Sequence, residues 1–357
     1  MKERQAISEQ LYERIRSVPK AELHLHLEGS ATADILIGLA EKYDTELKDL
    51  SVADVHRRFF QYEDFADFLS TYKTVCQHLR EPEDYLLLLD HLCDYFKQHH
   101  IRYAEIIVSP SIPQRFGFDA EAVIDALLTR SGEIESKGTV SIRWIFDCVR
   151  QWGPEEAEQT AQWAVEHQQR GVCGLGLGGD ENSLPMSDFQ DVFRRAKARG
   201  LFIHVHAGET GGPDQVWDAM RVLGANRIGH GIQAARDGRL IEYLRGHPVG
   251  LDVCLTSNQC TGSWAPVSNN PFGLLFKRGL AVSLNTDDPG LFQTTISNEY
   301  LLAVQHFGLT QEGLHRLILQ GARSAFLPHD QRMSLMQSFT DALSQADLGT
   351  EAYLQMT

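Results

Sequence analysis

Histidine and carboxylate recur in this sequence as short, spaced groups. His24 and His26 flank a single leucine. His206 ends the run His204-Val205-His206 and is followed by Ala207-Gly208-Glu209. His230 stands between two glycines, and Asp287 and Asp288 are adjacent in Asn285-Thr286-Asp287-Asp288-Pro289-Gly290. Imidazole nitrogens and a carboxylate oxygen are donors that zinc accepts. His24, His26, His206 and Asp287 are therefore assigned as the ligands of one Zn2+, with a position left for water, as a catalytic zinc requires. Each group alone also has a plain structural reading. Histidines on a strand serve as core, and Asp-Asp-Pro-Gly is turn-forming. Their joint placement points to the metal.

For these groups to meet, regular elements must carry them to one place. Apolar, β-rich runs cover 21–26, 102–108, 140–147, 173–178, 201–206, 227–230, 249–255 and 280–286, and segments 119–137, 154–169 and 188–199 read as amphipathic helices between them. Strands alternating with helices make parallel βαβ units, and eight of them predict a (β/α)8 TIM barrel. Every group named above then falls at the C-terminal end of a strand, at the barrel mouth where this fold keeps its chemistry. Residues i and i+2 of a strand share a face, so His24 and His26 both aim inward. By the same rule His204 lines the barrel one layer beneath the metal and is not a ligand. The runner-up, a doubly wound sheet, lacks GxGxxG after its first strand; the glycine run 174–179 on strand four is not followed by a phosphate-binding helix. Residues 52–82, with Phe59, Phe60, Tyr62, Phe65, Phe68 and Tyr72, form a helical insertion after strand one. It either covers the mouth or builds a satellite core. The chain beyond Thr310 reads as extra C-terminal helices outside the barrel, and 1–357 as a single domain.

Composition narrows the partners. With 33 Lys+Arg against 48 Asp+Glu, the net charge of −15 disfavours nucleic-acid backbones and anionic membranes. At 43% hydrophobic residues the chain can bury a sizeable core. Six cysteines without CxxC spacing indicate a reducing, cytoplasmic compartment. Residues 1–20 are charged throughout with no apolar core of a secretory signal, and no apolar run approaches the roughly 18 residues of a membrane span.

Five motifs, in order, resemble the adenosine deaminase family of metal-dependent barrel hydrolases: Pro19-Lys20-Ala21-Glu22-Leu23-His24-Leu25-His26-Leu27-Glu28-Gly29, Gly179-Asp180-Glu181, His206-Ala207-Gly208-Glu209, Gly229-His230-Gly231 and Ser283-Leu284-Asn285-Thr286-Asp287-Asp288-Pro289. The likeness spans nearly the whole chain. The cytidine deaminase pattern, HxE with PCxxC, is absent. The resemblance implies that His24, His26, His206 and Asp287 hold one zinc and that the small-molecule substrate is a 6-aminopurine. It implies that Glu209 protonates purine N1, that His230 stands beside the attacking water as base or electrostatic partner, that Asp288 bonds N7, and that the Gly179 N–H meets N3. A single metal is implied because strand four, 173–178, lacks the bridging Lys of binuclear relatives.

Within the family, the residue at Glu28 is usually Asp in adenosine deaminases, where it holds the ribose 5′-hydroxyl. Glu here moves the expectation away from adenosine. Segments 65–85 and 143–153 are similar to the aminodeoxyfutalosine branch. The expected substrates are therefore 6-amino-6-deoxyfutalosine, of menaquinone synthesis, then adenosine, then adenine. The first carries a carboxyphenyl group beyond the ribose 5′ end, which needs a local cation in so acidic a chain. Arg150, after strand three, is assigned to it, with Trp152 and the insertion's aromatics against the ring; the alternative is that Arg150 caps or ion-pairs the helix starting near Pro154. Thr256, Ser257 and Asn258 after strand seven either serve the site or merely close the strand. Outside the family, a non-purine metal amidohydrolase and a catalytically dead binding barrel remain.

Overall fold

The computed structural model describes residues 2–355. Eight strands, β1 (Lys20–His26), β2 (Ile101–Val108), β3 (Ser141–Val149), β4 (Val172–Gly178), β5 (Phe202–Ala207), β6 (Arg227–His230), β7 (Gly250–Val253) and β8 (Val282–Leu284), form one sheet in sequence order. Every neighbouring pair is parallel. This is the expected (β/α)8 barrel. Its seam is closed by single residues. Leu25 and Asp287 form an isolated parallel bridge. The His26 N–H donates to the Asp287 carbonyl at 2.8 Å, and the Asp287 N–H to the His24 carbonyl at 3.1 Å. Lower down, the Asn285 side chain accepts from the Leu23 N–H at 2.8 Å.

The strands match the apolar runs except β7 and β8, which are shorter. The buried carboxylate of Glu299 accepts from the N–H groups of Leu255 at 2.8 Å and Thr256 at 3.2 Å. That capture turns the chain into the short helix Leu255–Cys260. Beyond Leu284, residues leave the β7 ladder to reach β1 across the seam.

Helices pack outside the ring through apolar faces. In Ala120–Ser136 the residues Val123, Ile124, Leu127, Leu128 and Ile134 are buried, and Asp119 caps it by accepting from the Ala122 N–H at 3.0 Å. Such a cap contributes about 1 kcal/mol. The insertion after β1 contains helices Val52–Arg58 and Phe65–Cys76. Its Phe68 stacks on Phe292 at 4.9 Å and meets Tyr62 edge-on at 5.6 Å. Helix Gln311–Ser324 buries Leu314, Leu317 and Ile318 and packs on β1 and β8; His329–Ser344 and Thr350–Leu354 follow it. Among the described residues no helix is long and apolar enough to cross a membrane.

Low in the barrel, charge is buried in a closed network. The Arg227 guanidinium, 1% exposed, pairs with Glu105 and Asp252. It also donates to the carbonyls of Leu23 and Ser324. Tyr103 donates to Glu105, Ser283 to Asp252, and His204 stands 3.2 Å from Asp252. Burial alone would raise the Asp252 pKa, but Arg227 and His204 outweigh it and hold the carboxylate ionised. Removing one member of a buried pair leaves the other uncompensated, typically about 3–5 kcal/mol. Arg227→Met is expected to lower the urea midpoint by a loss of that size, since two carboxylates lose their cation. An unaltered midpoint would contradict a structural role for the network.

Candidate active site

Above that network the strand ends bring five ionisable side chains to one point. His24 and His26 leave β1, His206 leaves β5, His230 ends β6, and Asp287 follows β8. Ligand atoms of His24, His206, His230 and Asp287 all lie within 4.8 Å of one another. The His26 Nε2 is 3.2 Å from the His206 Nε2 and 3.4 Å from Asp287 Oδ1. The two oxygens of Asp287 divide the group. Oδ1 faces His24 at 3.1 Å and His26; Oδ2 faces His230 at 3.7 Å and accepts from the Ser257 hydroxyl at 2.7 Å.

These residues fit a metal. Both ring nitrogens of His24 and the Nδ1 of His206 are buried with no hydrogen-bond partner. An unpaired buried polar atom costs about 1–3 kcal/mol, and a cation placed among the Nε2 atoms of His24, His26 and His206 and the Asp287 Oδ1 would give the His24 Nε2 a partner. Burial lowers the His26 pKa to about 3, and burial with His24 beside it takes His206 well below its ordinary value. Both are thus neutral, the form that ligates. Burial would raise Asp287, but the imidazoles outweigh it and keep it ionised. His230 differs. Burial opposes its charge, yet Glu209 and then Asp287 raise its pKa, and its Nδ1 is met by the Asn258 amide at 3.1 Å. His204 sits under His24, ring centroids 5.0 Å apart, paired to Asp252 as the deeper layer.

Glu209 is held by partners that spacing did not identify. Glu181 accepts from the N–H groups of Gly208, Glu209 and Gly211 at 3.0, 3.0 and 2.9 Å, fixing the turn after β5. Thr261 and Ser263 donate to Glu209 Oε1 at 3.2 and 3.1 Å, while Oε2 lies 3.6 Å from His230 Nε2. Burial raises the Glu209 carboxyl to about 7. Of the residues after β7, Ser257 and Asn258 support Asp287 and His230, and Thr256 is tied to Glu299.

A cavity of about 720 Å³ opens here, lined by His26, His206, Glu209, His230, Asp287, Asp288 and Gly179 among others. The Asp288 Oδ1 is buried and unpartnered, and burial followed by Asp287 raises this carboxyl well above its usual value. A Cβ at Gly29 would stand 1.7 Å from that oxygen, so only glycine admits Asp288 here. Asp147, at the end of β3, also lines the cavity; it is 3% exposed, with Oδ1 unpartnered, and burial raises it well above the carboxylate range. Its strand end was legible, but one carboxylate in an apolar run carried no motif. A Cβ at Gly178 would lie 2.5 Å from Asp147 Oδ2 and 3.2 Å from His206 Nδ1. The glycines of strand four thus make room for side chains and bind no phosphate of their own.

Two residues expected to touch substrate stand behind the cavity lining. Glu28 is absent from the cavity wall; Tyr72 donates to its Oε2 at 3.2 Å, the Ser109 N–H to its Oε1 at 3.3 Å, and burial raises it to about 7. The longer side chain is absorbed by these neighbours, and Tyr72 presents itself on the wall instead. Arg150 is likewise outside the lining, buried, with its Nη1 unpartnered. Its Nε donates to the Leu184 carbonyl at 2.6 Å and its Nη2 to Gln215 at 3.0 Å, strapping two loops together, while Val149, Gln151 and Trp152 on either side line the cavity. It caps no helix at Pro154 either.

Residues 19–342 match the family model described as adenosine deaminase. The chain is 36% identical over 322 residues to an aminodeoxyfutalosine deaminase of Streptomyces avermitilis, covering 89% of each chain. It is 32% identical over 318 residues to an adenine deaminase of Chelativorans sp., covering 88% of this chain and 96% of that one. The crystal structure of adenine deaminase from Arthrobacter aurescens superposes with a TM-score of 0.86 at 25% identity, covering 92% of this chain and 100% of that one.

A metal shared by these side chains has a direct test. The unaltered chain should retain about one metal ion after dialysis by elemental analysis, and His206→Ala should retain little. Equal retention by both would separate His206 from the metal.

Proposed function

The chain belongs to the adenosine deaminase family, and from that premise we propose a zinc-dependent aminohydrolase that replaces the 6-amino group of an aminopurine nucleoside by oxygen and releases ammonia. The reading is carried by one observation. A buried carboxyl, Glu209, with a pKa raised to about 7, stands in the same cavity as His26 and His206, whose imidazoles burial keeps neutral, and the Asp287 carboxylate.

His24, His26, His206 and the Oδ1 of Asp287 would hold the zinc. When bound, zinc supplies the Lewis acidity that makes water nucleophilic at neutral pH. The chain's own residues do the rest. Glu209 keeps a proton for purine N1, which makes C6 electrophilic. Thr261 and Ser263 occupy its Oε1 and leave Oε2 for that proton. His230, steadied by Asn258, takes a proton as water adds. Asp288, held neutral by burial, has a hydrogen to donate to N7, and the Gly179 N–H is assigned to N3. Water and the aminopurine yield the 6-oxopurine and ammonia.

Among substrates we favour 6-amino-6-deoxyfutalosine, a step of menaquinone synthesis, because identity to an aminodeoxyfutalosine deaminase reaches 36% over most of both chains. Adenine is the second reading, favoured by the 32% relative; adenosine follows. The six free cysteines support a cytoplasmic setting.

Ammonia release should be fastest, by kcat/KM, on aminodeoxyfutalosine in a panel with adenosine, adenine and N6-methyl-AMP (methylamine release for the last). Faster turnover of adenine would overturn the substrate choice, and silence across the panel the reaction itself. Glu209→Gln is expected to keep its metal and lose about 10²–10⁴-fold in rate; a loss under about tenfold would remove it as the acid. The acid must be protonated, so kcat/KM should fall as pH rises through about 7. A flat profile to pH 9 would contradict that role.

A further inference from the structure

The cavity wall carries charge of opposite sign at different depths. Asp147, Glu209, Asp287 and Asp288 are buried, whereas Lys73 and Arg115 lie on the same wall but are exposed. Deamination at C6 uses no side-chain cation, so these two are unexplained by the chemistry above. In a chain of net charge −15, cations at the entrance to an acid-lined cavity need a reason.

Lys73 is unengaged among the described residues, and Arg115 is engaged only in part. Lys73, on the helix Phe65–Cys76 of the insertion, has no acidic or hydrogen-bonding partner for its ammonium among the described residues. Arg115, in the short helix after β2, meets Glu156 through Nη1 alone, at 2.6 Å. Its guanidinium lies 4.7 Å over the Trp152 ring. That stacking holds one face and leaves the Nε and Nη2 edge, the edge that grips a carboxylate with two parallel hydrogen bonds. The wall near them is apolar and aromatic, with Phe65, Leu69, Phe116 and Trp152. An apolar, aromatic wall that also carries two cations fits an aryl group ending in a carboxylate.

We propose that Lys73 and Arg115 receive the carboxylate of an aryl extension on the nucleoside, and so select 6-aminopurine nucleosides that carry one. The assignment rests on the substrate reading above and takes the place of Arg150. Both cations are exposed, so each is a selectivity determinant of modest size; an exposed charged pair changes affinity by a few-fold, and two together by about tenfold.

The test uses the metal-loaded chain with aminodeoxyfutalosine and its carboxamide analogue, identical in shape and lacking the charge. The unaltered chain should prefer the carboxylate by about tenfold in kcat/KM, expressed in KM, and the preference should shrink as salt rises. Lys73→Met and Arg115→Met should each reduce the ratio, the double variant should abolish it, and Lys73→Arg should keep it. Lys73 is solvent-exposed, so its variant tests the idea even where Arg115→Met disturbs the Trp152 stack. Turnover of both compounds with a ratio untouched in the double variant would overturn the clamp and leave the substrate reading standing. Turnover of adenine or adenosine alone would overturn both.

Discussion

Asp287 closes the barrel and organises the site with a single residue. Its N–H and C=O bridge to β1, and its carboxylate meets His24 and His26 on one side, His230 and Ser257 on the other. It does so from the left-handed region, at φ 66°, and His230 holds φ 61°. Non-glycine residues there cost roughly 1–3 kcal/mol and persist only where the surroundings over-determine them. At Asp287 the surroundings are the seam itself. The ladder to β7 ends with the Asn285 N–H on the Val253 carbonyl at 3.0 Å, and two residues on, Asp287 lies at the mouth.

The polar column through the barrel is graded by where compensation exists. At the bottom Asp252 has Arg227 and stays ionised; in the middle Asp287 has the imidazoles and stays ionised. Glu209, Asp288 and Asp147 have no dominant cation, and burial pushes each toward its neutral form. The same residue type is thus ionised at one depth and neutral at another, separated only by its neighbours. Burial is the common cause, which is why the packed insertion matters: Phe68, stacked on Phe292, and Tyr72 lie on the cavity wall over this column.

The supporting groups come from loops far apart in the chain. Glu181, after β4, anchors the turn that carries Glu209, and Glu299, from a helix after β8, starts the helix that carries Ser257 and Asn258. Each accepts backbone N–H groups that a tight turn would otherwise bury unpaired. Positioning through backbone capture leaves the reacting side chains free of strong local partners, apart from those that set their charge.

What the sequence determined by itself was local and periodic. Alternation marks the strands, so the sequence alone aims His24, His26 and His206 inward and places His204 beneath them. Strand count predicted the barrel, and the barrel's shared mouth joined motifs more than 250 residues apart. Tertiary structure decided the destinations of long side chains. Glu28 and Arg150 sit at positions the sequence placed beside the site, yet Tyr72, Ser109, Leu184 and Gln215 draw them from the wall. Asp147, Lys73 and Arg115 carry no motif and reach the cavity only because the insertion and the loops after β2 and β3 converge there. The physical reason is the range of the forces involved. Strand and helix periods are set by neighbours in the chain, whereas a buried side chain turns toward whichever distant donor or acceptor satisfies it, and that choice exists only once the ring has closed.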